Sequence, residues 1–139
     1  MKIQTVRRFT LFVLNVTMAA SLLAQGGRGR FYDPSTETTV QGKVLTVDSV
    51  AGRHGWSGIH LTLESKDVKY DVHVGQTTYV ESHGFKFAVG DQLQVIGSEV
   101  TSSGAKSLIA REISRDGKTL VLRDKQGFPV WSGAGAASN

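Results

Sequence analysis

Two short runs of strict alternation constrain this chain more than any other feature. In residues 59–64, Ile59, Leu61 and Leu63 alternate with His60, Thr62 and Glu64. In residues 68–74, Val68, Tyr70, Val72 and Val74 alternate with Lys69, Asp71 and His73. A period of two is the pattern of a strand with one buried and one wet face. Placed antiparallel around a turn at residues 65–68, the runs accept one register: Leu63 faces Tyr70, Leu61 faces Val72, Ile59 faces Val74, and Glu64 opposes Lys69. A slip of one residue would turn every apolar side chain outward, and the opposed charges favour the same pairing. The centre of the chain is therefore expected to be a β-hairpin.

The rest of the chain must cover that hairpin's apolar face, and it too reads as strand. Turn residues recur roughly every 8–12 positions, the spacing of a small barrel or sandwich. Residues 38–49 carry Val40, Val44, Leu45 and Val47, and Gly42 within them suggests a bulge or bend. Residues 76–87 hold the one stretch with helical character, a single turn around Thr78, Tyr79, Val80 and Glu81 that Gly84 would stop. Gly90-Asp91 then turns the chain into residues 92–100. A further run follows at 106–115, and Asp116-Gly117 makes a tight turn into 118–123. Arg111, between Ile109 and Ile113, breaks the alternation. Either a bulge resets the phase there, or the residue lies at the barrel mouth with its charge in water. Three strands, a short helical or irregular connection and two or three more strands give an all-β fold: a small OB-fold-like barrel of five to six strands, with the connection plugging one end.

The N-terminus has the order of a secretory leader. Lys2, Arg7 and Arg8 precede a mostly apolar stretch at 9–23, and Ala24 offers a cleavage point before the polar Gln25-Gly26-Gly27-Arg28. The apolar stretch is shorter than the roughly 20 residues that span a bilayer, so no stable membrane span is expected after cleavage. The expected organisation is a signal peptide at 1–24, a flexible segment at 25–37, the barrel at 38–132 and a disordered tail at 133–139. The protein is expected to be periplasmic or secreted. The formal charge of +4 owes three cations to the leader, and every acid lies after it, so the mature chain is close to neutral and its bulk charge favours no class of partner. With no cysteine, the domain has neither disulfides nor thiolate ligands and is held by burial alone.

Enzymatic signatures are absent from the sequence: no serine sits in a nucleophile elbow, and the glycines at 52–58 open no phosphate-binding helix. The expectation is a non-enzymatic protein. Binding residues are sought first in the loop joining the first two strands, which helps line the ligand face of OB folds. Arg53, His54 and Trp56 supply a guanidinium, an imidazole and an indole there, able to stack on and hydrogen-bond a ligand. The alternative is that Trp56 folds back to cover the barrel end. Trp131 reads as a structural plug.

The second candidate is a pair of histidines. The hairpin register places His60 opposite His73 on the polar face, with Cβ atoms about 4.5–5.5 Å apart. Two imidazoles at that distance can share a divalent transition ion, with Asp71 or His54 as an added ligand. No other cofactor is expected. The alternative is two exposed or partly packed histidines with no ion between them.

Six segments occur together in a recognisable order: Tyr32-Asp33-Pro34, Val40-Gln41-Gly42-Lys43-Val44, His60-Leu61-Thr62-Leu63, Val72-His73-Val74-Gly75, Gly90-Asp91-Gln92-Leu93-Gln94-Val95-Ile96-Gly97 and Gly127-Phe128-Pro129-Val130-Trp131. In these the chain resembles a family of small exported bacterial OB-like proteins, similar to a soluble domain of some magnetosome-associated proteins. The resemblance implies an OB-like fold in the cell envelope and carries no reaction or catalytic residue. The leading expectation is thus a binding or assembly module that contacts another envelope protein or a small ligand, and a metal-binding accessory protein using His60 and His73 is the second. A single-stranded nucleic-acid binder comes last, because export removes the usual substrate and no basic, aromatic groove is legible.

Overall fold

A computed structural model describes residues 32–102 and 104–132. The expected leader, residues 25–31 and the tail at 133–139 lie outside the described residues. The central hairpin forms as strands β2 (Ser57–Ser65) and β3 (Val68–Gln76), paired through Glu64 with Lys69, Leu63 with Tyr70, Leu61 with Val72 and His60 with His73. Lys66 and Asp67 both have positive φ, 48° and 64°, the two-residue turn whose twist matches that of the flanking strands. One pairing departs from expectation. Ile59 faces Gly75, because a bulge between Ile59 and His60 shifts the register.

Around the hairpin run β1 (Glu37–Ala51), β4 (Gln92–Ser102), β5 (Ala105–Arg115) and the short β6 (Lys118–Val121), in sheet order β3-β2-β1-β4-β5-β6. A parallel pairing of β3 with β5, from Tyr70 with Lys106 to His73 with Ile109, closes the first five into a barrel. β6 is an extra strand beside β5. With the helix α1 (Thr77–Ser82) between β3 and β4, this is the OB-like arrangement.

β1 is long because it serves two neighbours. Residues 37–43 pair with β4 and residues 43–51 with β2. The handover needs Gly42, since a Cβ there would stand 2.4 Å from the carbonyl oxygen of Glu64; the bulge itself comes just after, between Val44 and Thr46.

The phase conflict at Arg111 resolves as a bulge. Ile96 pairs with Glu112 and Gly97 with Ala110, leaving Arg111 as the extra residue. Its charge is not left in water. Nε and Nη2 donate to the two oxygens of Glu37 at 3.0 and 2.9 Å, and Nη1 donates to Glu112 at 3.0 Å.

The core inside the barrel contains Val40, Val44, Leu61, Leu63, Val72, Val74, Leu93, Val95 and Ile113, all on alternating runs, together with Leu108, whereas Val47 of the first run is 38% exposed. Val80 of α1, with Phe85 and Phe87 after it, is buried against that core and closes one end. Burial of each such side chain contributes about 1.5–3 kcal/mol.

Candidate functional site

The outward face of the hairpin carries His60, Asp71 and His73. Their placement follows from the register. His60 opposes His73, and Asp71 precedes His73 by two residues on the same face, opposite Thr62. The imidazole centroids lie 4.2 Å apart with the rings at 71°. His60 Nδ1 is 3.4 Å from Asp71 Oδ1, and His73 Nε2 is 3.3 Å from Asp71 Oδ2. One ligand atom from each of the three lies within 4.8 Å of the others. The side chain of His73 is only 12% exposed and that of His60 28%, whereas Asp71 is 48% exposed. A carboxylate therefore caps a half-buried imidazole pair from the solvent side. His54 does not join this group, although the sequence reading allowed it to. It sits at φ 56° in the exposed turn Arg53–Gly55 between β1 and β2.

His60 and His73 also line a cleft of about 810 Å³, whose other walls include Trp56, Ile59, Phe128 and Trp131. Trp56 lies across Gly52 and Gly58 and stays 41% exposed, so it forms a wall of the cleft and does not enter the barrel. Of the three loop candidates it alone lines the cleft; Arg53 and His54 are exposed outside it.

The opposite wall comes from the end of the chain. Asp124 gathers the return by accepting from the amides of Gln126 and Phe128 at 2.9 and 3.0 Å. Val130 N then donates to Leu122 O at 3.1 Å, which brings the Trp131 ring over Gly75. A Cβ at Gly75 would stand 2.3 Å from that ring, and φ there is +154°. The bulge that displaced Ile59 from Val74 thus occurs where the indole lies on the strand.

Arg123 holds this wall to the barrel. The parallel pairing of β3 and β5 ends at His73 and Ile109. Just beyond, Arg123 Nη1 donates to Val74 O at 3.0 Å and to Ala110 O. One guanidinium therefore bridges the seam where the ladder stops. It also lies 5.3 Å from the Trp131 ring, close enough for a cation–π contact. Burial pushes its pKa down to about 10, which leaves it cationic at neutral pH.

Tyr32 lines the cleft from the N-terminal side and packs on Gly127. Its hydroxyl donates to Glu37, and burial first, then that carboxylate, pushes its pKa up to about 12. Glu37 in turn is held below the ordinary carboxylate range by hydrogen bonds from Arg111 and then Tyr32. The first and last quoted segments of the sequence, around Tyr32 and around Trp131, thus meet at one cleft.

Arg123 and Tyr32 were not among the residues singled out from the sequence. Arg123 bonds carbonyl oxygens, which every residue carries, so no motif marks it. Tyr32 was visible as part of a quoted segment, without anything to say what it would touch.

The sequence pattern of the MamS/MamX magnetosome protein family matches residues 36–120. Among solved structures, the N-terminal domain of the PriB protein from Thermoanaerobacter tencongensis, described as dimeric, is similar at 20% identity. The match covers 60% of this chain and 99% of that one with a TM-score of 0.45. No curated protein matches the chain.

Proposed function

The chain belongs to the MamS/MamX magnetosome protein family, and we propose that it works as an exported, non-enzymatic binding module of the cell envelope. Membership in a magnetosome family points to an envelope-associated protein, and the leader-like residues 1–24 support export to the periplasm or beyond. The observation that carries the binding reading is the cleft. It joins the end of the barrel to the C-terminal return and presents Trp56, Phe128 and Trp131 around two imidazoles. Broad aromatic surface with few polar groups suits contact with a partner protein or a small ligand. The guanidinium nearest the cleft is engaged with backbone carbonyls, so it serves the wall more than any reaction. Nucleic acid is disfavoured as the partner, because among the described residues that line the cleft there is no row of cations to follow a phosphate backbone.

Site-specific photocrosslinking in the native host tests this. A photoreactive residue at Phe128, which is exposed beside the cleft, should give a discrete adduct with an envelope component. The same residue at Val89, exposed outside the cleft, should not. Equal labelling from both positions, or none from Phe128, would overturn the assignment. The mass of the protein recovered from the envelope fraction checks export independently, and it should begin near Gln25.

A further inference from the structure

We infer that His60, Asp71 and His73 form a binding site for one divalent first-row transition ion, held by three protein ligands with further coordination positions open. The inference does not need the cleft to bind a partner. It starts from donor spacing. Metal–nitrogen and metal–oxygen bonds of about 2.0–2.2 Å place neighbouring donors of one ion roughly 3–3.5 Å apart. One Asp71 oxygen, Oδ1, already stands 3.4 Å from His60 Nδ1, and the other, Oδ2, stands 3.3 Å from His73 Nε2. The whole set falls within 4.8 Å, so small side-chain rotations close it around an ion.

The backbone beneath the three residues is stiff. β3 is paired on both sides at these positions: Asp71 opposes Thr62 and Ser107, and His73 opposes His60 and Ile109. Donors on a strand inside a closed wall lose little freedom when an ion arrives, which is the condition for useful affinity from only three ligands. A loop site with the same residues would lack this advantage.

Chemistry selects the class of ion. Two imidazoles and one carboxylate suit zinc, copper, nickel or ferrous iron, whereas magnesium and calcium prefer all-oxygen shells. Structural zinc sites are closed by four protein ligands, and a three-ligand set keeps room for water or an exogenous donor. His60 and His73 also line the cleft while Asp71 stands outside it. The ion therefore sits at the cleft's edge, where a donor group on a cleft-bound molecule can reach it.

Calorimetric titration of the mature protein, as recovered after export, with zinc sulfate, and separately with copper sulfate, tests the site. Saturable binding of one ion per chain at micromolar metal is expected. Outer-shell partners of metal sites are worth about 10–100-fold in affinity, so losing a direct ligand through His60→Gln or Asp71→Asn should weaken binding by at least as much. His54→Ala, and His83→Ala at the exposed end of α1, should leave it unchanged. Thermal melts without metal establish that each variant is folded. A measurement on the unaltered protein covers the case in which a variant is not: substoichiometric copper should broaden the amide resonances of residues 60 and 71–73 before any others. Broadening centred on His54 or His83, undiminished binding in folded His60→Gln and Asp71→Asn, or no saturable binding of either metal would each overturn the inference.

Discussion

The β2–β3 hairpin and the C-terminal return over residues 122–132 lie side by side, yet they are held in opposite ways. The hairpin is a regular ladder in which each residue pair contributes a similar small amount and alternation sends side chains inward or outward. The return has almost no ladder, with one isolated bridge between Arg123 and Pro129. It depends on a carboxylate that gathers two amides, a guanidinium that takes two carbonyls and an indole resting on a glycine. Distributed bonding makes the hairpin a good platform for fixed donors. Concentrated bonding makes the return a wall that a single substitution can dislodge.

Substitutions can break that contrast. The largest effect is expected from Leu61→Ala, in the buried face of the hairpin. Lost burial and the cavity left behind should destabilise the domain by about 2–5 kcal/mol, read from urea unfolding. A near-neutral result would mean that the hairpin's inner and outer faces are the reverse of those described.

Next comes Arg123→Ala. Removing a charged donor from two carbonyls should cost about 1.5–3 kcal/mol, and Arg123→Lys should recover only part of it, because an ammonium lacks the planar fork. Hydrogen exchange checks whether the regions are separate. Amides of residues 122–132 should lose protection while those of residues 61–72 keep theirs. Equal loss in both would show one cooperative unit and end the comparison.

The ion pair at Glu37 should be smaller and pH-dependent. Because Arg111 and Tyr32 hold its pKa down in the folded state, its contribution is complete above the unfolded value of about 4.3 and disappears as pH falls through the lower folded value. Glu37→Gln should therefore melt below the wild type at neutral pH and converge with it in strong acid. Parallel melting curves across the whole range would remove Glu37 from the acid response.

Trp56→Ala is expected to have the smallest effect on stability, under about 1 kcal/mol, since the ring is largely outside the core. It should still abolish the crosslink from Phe128. A thermal loss of several degrees with the crosslink intact would make Trp56 a structural cover instead.

The same contrast explains what could be read from the sequence. Most of the hairpin was legible because its information is local: alternation, an opposite-charge pair and a short turn define it, and the meeting of His60 with His73 follows. Arg111 announced itself as a break in alternation, and the bulge was one of two solutions offered for it. Ile59 faces Gly75 instead of Val74 because a bulge shifts the register there, beside a ring, Trp131, that lies far along the chain and leaves no mark on the alternation of residues 59–74. For Arg53 and His54 the loop was located correctly, but both are exposed and neither lines the cleft that Trp56 lines. Arg123 could not be found at all, since its partners are main-chain oxygens.

The closure of the barrel also bears on how the protein behaves in a crowded compartment. Open sheets expose rows of unpaired amides and carbonyls to which a second chain can add, and long bare edges are a common start of aggregation. Here β3 and β5 meet, so the sheet's terminal strand is the four-residue β6. Even that margin is partly occupied: the Tyr79 hydroxyl donates to Val121 O at 2.8 Å, and Val130 N to Leu122 O. Lys118 adds a charge at its start. A cysteine-free domain cannot rely on covalent staples to keep its strands from neighbouring copies, and the β3–β5 closure removes two of the edges that an open sheet of these strands would present.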